Sequence, residues 1–318
     1  MMRICLLLAT VMMTANVELQ WSTKSPMPQA QAGGAAALFG NTMIVAGGTA
    51  WEGGVKHWLK DVQLYDLVTG KWRGGPELPE PLAYGAFAQS GDALEIFGGT
   101  GGESVARHIW KIDASLAHWV RAGEAPTDVL LGRAARVGRR AFLFGGCADV
   151  ADLTRCSSGV WMREDEGPWR EVAKLPAGPV ALSALAVLNG RILLFGGCSM
   201  ASPGQLVNRA EAWSFDPATF TFRRLHDLPS ANRGLSAVAA AGRVWLFGGY
   251  VNAGFTAESW SYDPAADAYT SQPAMPVAMS SIEFVAHGQT LWGAGGEDRM
   301  RGRSARTFSA AIGGASSR

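Results

Sequence analysis

Charge is scarce in this sequence and almost perfectly balanced. The 318 residues carry 28 Lys and Arg against 27 Asp and Glu, a formal net charge of +1. Such a net charge gives no electrostatic case for holding nucleic acid by its phosphates. The apolar stretch Ile4 to Met13 is too short to span a bilayer. Histidine is sparse: His57, His108, His118, His226 and His287 are scattered, and none stands at ligand spacing from a cysteine, which disfavours a zinc site. No phosphate-cradling Gly-Lys-Ser/Thr loop occurs. The sequence therefore implies neither a metal nor an organic cofactor. Cysteine is also rare, with four residues in all. Disorder is disfavoured as well, because 48% of residues are hydrophobic and only 17% charged.

What the chain does have is a glycine doublet that returns. Ile44-Val45-Ala46-Gly47-Gly48 is echoed at Gly98-Gly99, Gly145-Gly146, Gly196-Gly197, Gly248-Gly249 and Gly295-Gly296, with successive steps of 51, 47, 51, 52 and 47 residues. An aspartate followed six positions later by an aromatic keeps the same phase, at Asp66/Trp72, Asp113/Trp119, Asp216/Phe222 and Asp263/Tyr269. Trp169 fills the aromatic place in the remaining full repeat. A period near fifty means an array of one supersecondary unit. Each doublet ends a β-favouring run, where the backbone must turn sharply or approach a neighbour, and glycine does this at least strain. Units of about four short strands bury their faces only against one another, so a closed β-propeller is expected.

This pattern looks like the kelch repeat, and the resemblance covers nearly all of the chain beyond its leader. It implies an all-β, six-bladed kelch β-propeller over residues 16–312, with a short tail at 313–318. The lone strand Leu19 to Thr23 carries the repeat aromatic, Trp21, with no doublet before it, and the sixth doublet is followed by one strand, Thr307 to Ile312. The N-terminal strand is therefore expected to complete the last blade and remove exposed edges. Residues 1–15 read as a secretory signal peptide: Met1-Met2-Arg3, the apolar run, then Thr14-Ala15. A periplasmic or secreted location follows as an expectation, without membrane insertion. Cys5 would leave with the leader. Of Cys147, Cys156 and Cys198, either Cys147–Cys156 or Cys147–Cys198 could bridge.

Most of the twelve tryptophans fall at repeat positions and read as blade core. Trp51 and Trp58 instead fall in a loop beside Glu52, Lys56 and His57, where they could stack on a sugar or partner, or fold over the blade's edge. The loops after the doublets and those leading into the innermost strands open on one face, where function usually lies. Candidates there are Glu52, Lys56, Glu103, Arg107, His108, Asp149, Asp152, Arg155, Asn208, Arg209, Asn232, Arg233, Tyr250 and Asn252.

In the last loop a carboxylate directly follows the doublet and an arginine comes six positions later: Gly296-Glu297-Asp298-Arg299-Met300-Arg301-Gly302-Arg303. This resembles the N-acetylneuraminate epimerase (sialic acid mutarotase) family, secreted six-bladed kelch propellers. Gln31 to Ala35, Gly70-Lys71-Trp72 and Ala83-Tyr84-Gly85 resemble stretches that the typical members carry near the other end, so the order here is cyclically permuted. The resemblance implies Glu297 and Arg303 as the functional pair. Arg299 and Arg301 are extra arginines that depart from the family's pattern; together with Trp51, Trp58 and Arg233 of the loop face they are expected as further substrate contacts. In mutarotation Glu297 would move protons while Arg303 holds a carboxylate through two parallel hydrogen bonds. An ion pair that merely rigidifies the loop is the structural alternative, and a non-catalytic kelch module binding a protein or glycan through the same face is the functional one. A galactose-oxidase-like copper site needs tyrosine and histidine ligands, but Tyr65, Tyr262 and Tyr269 fall at scaffold places and the histidines are scattered, and the repeated Ser-x-Asp-x-Gly-x-Thr-Trp turns of sialidases are missing.

Overall fold

The structure, a computed structural model, describes residues 17–252 and 254–314. The leader expected at 1–15 lies outside them, as do residues 315–318. Six four-stranded antiparallel sheets are arranged around a central channel. The innermost strands are Ala35–Phe39, Ala86–Ser90, Arg133–Val137, Ala184–Leu188, Ser236–Ala240 and Glu283–His287, and each touches the next around the ring, with the sixth touching the first. Blades three and six therefore stand opposite one another.

The last blade is built from both ends of the chain. Val17–Lys24 pairs with Thr307–Gly314, Trp21 lying opposite Ala310. The strand thus continues two residues past Ile312. Apolar clusters fill the seams between neighbouring blades. Ile44 and Leu64 of blade one meet Leu94 and Ile96 of blade two, and Trp245 and Phe247 of blade five meet Phe284 and Phe308 of blade six.

The repeat residues now acquire physical roles. Where a third strand ends in aspartate, that residue accepts hydrogen bonds from the turn that follows: Asp66 from the amides of Val68 and Thr69, Asp216 from Ala218 and Thr219, Asp263 from Ala265 and Ala266. These are Asx turns, which fix the hairpin into the outermost strand. The aromatic on that strand then reaches back to the preceding blade's exit. The Nε1 of Trp119 donates to the Pro76 carbonyl at 2.9 Å, Trp169 to Glu124 at 2.9 Å and Trp21 to Pro273 at 2.8 Å.

The doublets staple blade to blade on the opposite end. Gly48 donates its amide to Leu82, Gly197 to Asn232 and Gly249 to Met279, all at 2.8 Å, and Gly296 closes the ring by donating to Gln31 at 2.9 Å. At Gly248, φ is +59° and an added Cβ would run into the Met279 carbonyl oxygen, so no larger residue fits. Small residues such as Ala36, Ala88, Ala135, Ala186 and Ala237 line the channel, a cavity of about 330 Å³.

Candidate functional site at the channel mouth

One residue per blade, just before each innermost strand, adopts a left-handed backbone: Gly33, Tyr84, Leu131, Leu182, Gly234 and Ser281. Their amides and carbonyls link blade to blade around the mouth. Tyr84 donates to Gly33 at 2.8 Å, Leu131 to Tyr84 at 2.8 Å, Leu182 to Leu131 at 3.0 Å, Gly234 to Leu182 at 2.8 Å and Ser281 to Gly234 at 2.8 Å. The left-handed strain at Tyr84 thus belongs to the architecture, since Leu131 and Leu182 share it. Side-chain size sets an asymmetry. Tyr84, Leu131 and Leu182 join Leu153, Cys198 and Met200 in an apolar wall, whereas the blades six and one side is polar.

On that polar side the structure brings Glu297 and Arg303 together. A two-way backbone bridge to Ser280 fixes Glu297. Arg303 Nη1 donates to Glu297 Oε1 at 3.0 Å and to the Gly302 carbonyl at 2.7 Å. Its Nε donates to the Thr49 hydroxyl at 3.0 Å, and its Nη2 approaches the Tyr84 hydroxyl at 3.4 Å. The Arg303 side chain is 7% exposed and that of Glu297 27%. The guanidinium is therefore largely occupied by protein acceptors drawn from blades six, one and two.

Tyr84 is the residue this arrangement perturbs. Its hydroxyl lies 3.3 Å from Thr49 Oγ1, and Lys56 Nζ sits 4.7 Å from its ring centroid. Burial pushes the phenol up, yet Lys56, Thr49 and the Arg303 charge outweigh it and hold Tyr84 below the ordinary phenol range. Three other tyrosines go the opposite way, the buried Tyr65 and Tyr262 and the half-buried Tyr269 all being raised by desolvation.

The remaining expected contacts divide. Trp51 and Trp58 lie on a short hairpin, Thr49–Glu52 with Val55–Trp58, rather than in an irregular loop. The Trp58 ring packs over Gly102 of the next blade, and Lys56 Nζ is 5.2 Å from its centroid. Arg301 lies 5.9 Å from the Trp51 ring. Arg299 does not join the mouth: it pairs with Asp298 at 3.2 Å and is 72% exposed. Arg233 stacks 4.1 Å from the Tyr250 ring and donates to Asn208 Oδ1 at 2.6 Å. Others serve the scaffold: His108 Nδ1 lies 2.7 Å from Glu80, Arg107 pairs with Asp128 at 2.8 Å, and Asp152 caps a short 3-10 turn. Asn232 Nδ2 donates to the Gly248 carbonyl at 2.9 Å.

Sequence reasoning missed two charged residues, although the period could have found them. The first position of each innermost strand is Ala35, Ala86, Arg133, Ala184, Ser236 and Glu283. Four are small and two are charged, on opposite blades.

Similarity to known proteins agrees with this architecture. The Kelch motif family matches residues 32–79, the first blade and its lead-in. The chain is a six-bladed kelch propeller. Kelch-like protein 25 of Xenopus tropicalis is 26% identical over 237 residues, 71% of this chain and 38% of that protein. Its human counterpart is 24% identical over the same shares. Kelch domain-containing protein 10 of Xenopus tropicalis is 24% identical over 252 residues, 73% of this chain and 59% of that protein. The match thus spans less than two thirds of the length of each of these relatives.

Of the two cysteine pairings the sequence allows, the structure has Cys147–Cys156, in the loop after the third doublet. Cys198 is free and buried, and burial pushes its thiol up to about 11. It is held as an inert thiol rather than a nucleophile. Reducing the bridge opens a short loop, so dithiothreitol is expected to lower unfolding stability by about 2–3 kcal/mol. Urea titrations with and without reductant check this, and Cys156→Ser should remove the difference.

Proposed function

We propose that this kelch propeller is a recognition module whose channel mouth binds a carboxylate-bearing protein or glycan, without turning it over. The carrying observation is Lys56. It lies beside the perturbed Tyr84 hydroxyl and forms no ion pair among the described residues, so a cation is left for a ligand to meet. The occupied state of Arg303 supports the same reading, because its fork is already spent on Glu297, Thr49 and Gly302. The kelch relatives carry no catalytic activity in their names, which favours binding over turnover. An exported protein suits the Cys147–Cys156 bridge, since disulfides persist in oxidising compartments.

A second reading is favoured by the Glu297–Arg303 contact and by the epimerase-like Gly-Glu motif with its permuted order: mutarotation of an acidic sugar such as N-acetylneuraminate. One oxygen of Glu297, Oε2, makes no hydrogen bond among the described residues, and the side chain is 27% exposed. That oxygen could relay the proton that ring opening releases.

One pair of measurements separates the two readings. Titration with N-acetylneuraminate and with a Glu-rich peptide, followed by tryptophan fluorescence, is expected to show binding that Lys56→Ala weakens by roughly tenfold or more. Proton NMR of freshly released N-acetylneuraminate is then expected to show an unchanged α-to-β rate. Acceleration that Glu297→Gln abolishes would replace the binding reading with the mutarotase, and absence of binding to either probe would sink it.

A further inference from the structure

The seam between blades two and three departs from the repeat at four places at once. The third residue before the doublet is Ile44, Phe142, Leu193, Trp245 or Trp292 in five blades and Glu95 in blade two. Arg163 in the third strand of blade three stands where the other blades carry Tyr65, Ile112, Phe215, Tyr262 and Ala310. Lys111 and Arg136 likewise occupy places that are uncharged in every other blade. A buried ion cluster often gains nothing in stability over the apolar packing that fills the other seams, so this concerted charge points to a different use.

Lys111 lies directly opposite Glu95 in the strand pair, so both side chains leave the same face of blade two, toward blade three. The carboxylate of Glu95 is fully engaged: Arg136 Nη2 donates to its Oε1 at 2.9 Å, Arg163 Nη2 to the same oxygen at 3.2 Å, and Arg136 Nε to Oε2. Asp165 is paired as well, with Arg139 Nε at 2.8 Å. Glu95, Arg136 and Asp165 wall a cavity of about 350 Å³, together with Ser90, Lys111 and Glu166. That volume falls within the range of small-molecule sites, about 300–1,000 Å³. The cavity sits beside the hairpin of Ala86–Ser90 with Ala93–Thr100 and the turn at Asp165, at the end of the blades away from the mouth. Two of its lining charges, Lys111 and Glu166, have no hydrogen-bond or ion-pair partner for their side chains among the described residues. One is positive and the other negative.

We propose that this seam is a second binding site, which takes a small zwitterion of the α-amino-acid type: Lys111 receives its carboxylate and Glu166 its ammonium, against a wall fixed by the Glu95–Arg136 pair. A simple anion would confront Glu95, Asp165 and Glu166 together, and a simple cation would confront Lys111 and Arg136. A ligand carrying both signs answers the two unpaired charges at once. Because Glu95 and Arg136 already hold one another, their wall is in place before a ligand arrives and little ordering is left to the binding step. The site stands apart from the mouth and does not depend on how the mouth is read.

The test uses the whole chain and three probes, read by calorimetry: L-glutamine, N-acetyl-L-glutamine, which lacks the ammonium, and L-glutamine amide, which lacks the carboxylate. Glutamine is expected to bind, and each blocked form to bind roughly tenfold more weakly or worse. Lys111→Met keeps the aliphatic stem and Glu166→Gln keeps the shape; each should weaken glutamine binding by roughly tenfold or more. Neither residue belongs to an ion pair, so the urea midpoint of both variants should stay with wild type. Lys71→Met, on the outermost strand of blade one, Lys71–Gly74, should bind as wild type does. Acetylated glutamine binding as tightly as glutamine would make this an anion site and overturn the zwitterion assignment. Glutamine binding that survives both Lys111→Met and Glu166→Gln would lie elsewhere on the propeller, and a wild type that binds no glutamine would leave the seam a structural clasp alone; either result overturns the proposal.

Discussion

Replacing Glu95 by alanine is expected to destabilise the propeller by about 3–5 kcal/mol. Glu95 sits in the second strand of blade two, Ala93–Thr100, with 3% of its side chain exposed. Two arginines of blade three clasp it across the seam: Arg136 as a bidentate pair, one arm at 2.9 Å, and Arg163 at 3.2 Å. Arg163 is itself 3% exposed, donates to the Ala122 carbonyl at 3.0 Å and lies 5.1 Å from the Trp169 ring centroid. Desolvation already pushes its guanidinium down from the ordinary value, and Glu95 opposes that push. Removing the carboxylate leaves two enclosed cations facing each other, which costs more than the pair contributed when intact. The combined replacement Glu95→Leu, Arg136→Leu, Arg163→Met should recover most of the loss, because no unpaired charge remains. Urea unfolding followed by tryptophan fluorescence measures both. A loss under 1 kcal/mol would mean that water in the adjoining cavity, about 350 Å³ and lined by Glu95, Lys111, Arg136 and Asp165, solvates the stranded arginines.

The blades were legible because most repeats solve the same local problems with the same residues. The doublet, the Asx turn at Asp66, Asp216 and Asp263, and the aromatic reaching back to the preceding blade each leave a residue type at fixed phase. The closure by Val17–Lys24 was legible too, since Trp21 is a repeat aromatic without a repeat. The hairpin that presents Trp51 and Trp58 had its own signal in Gly53-Gly54, a two-residue turn with φ of +58° and +81°. The candidate site was only partly legible, for a physical reason. Glu297 and Arg303 are six residues apart and meet within one loop, but Thr49 and Tyr84 come from other blades, and their approach to Arg303 is a product of ring closure. The exclusion of Arg299 from the mouth depends on loop conformation, which a run of three arginines does not encode. Arg133 and Glu283 were visible only by comparing one phase position across all six blades.

Replacing Arg303 by methionine is expected to weaken binding of an acidic probe at the mouth by roughly a hundredfold or more, since setting like charges against one another in a binding site costs several kcal/mol. Arg303 is where three blades converge: it holds Glu297 of its own loop, Thr49 of blade one and Tyr84 of blade two. Methionine keeps the stem's packing but leaves Glu297 without its partner, so like charge then confronts an incoming carboxylate. Lysine is not expected to rescue, because one ammonium cannot reproduce a planar fork that serves Nε and Nη acceptors on different blades. Tyr84 supplies a readout that simple destabilisation would not move. Arg303 is one of the groups holding that phenol down against burial, alongside Lys56 and Thr49, so its removal moves the phenol's titration to higher pH. The ultraviolet titration component that disappears in Tyr84→Phe identifies it. A hundredfold loss of binding with that component shifted upward places Arg303 as the organiser of the mouth. The same loss with the component unmoved would place it in direct contact with the ligand alone, and full binding by Arg303→Met would show that ligands at this face bypass the polar side and rest on the wall of Leu131, Leu182 and Met200.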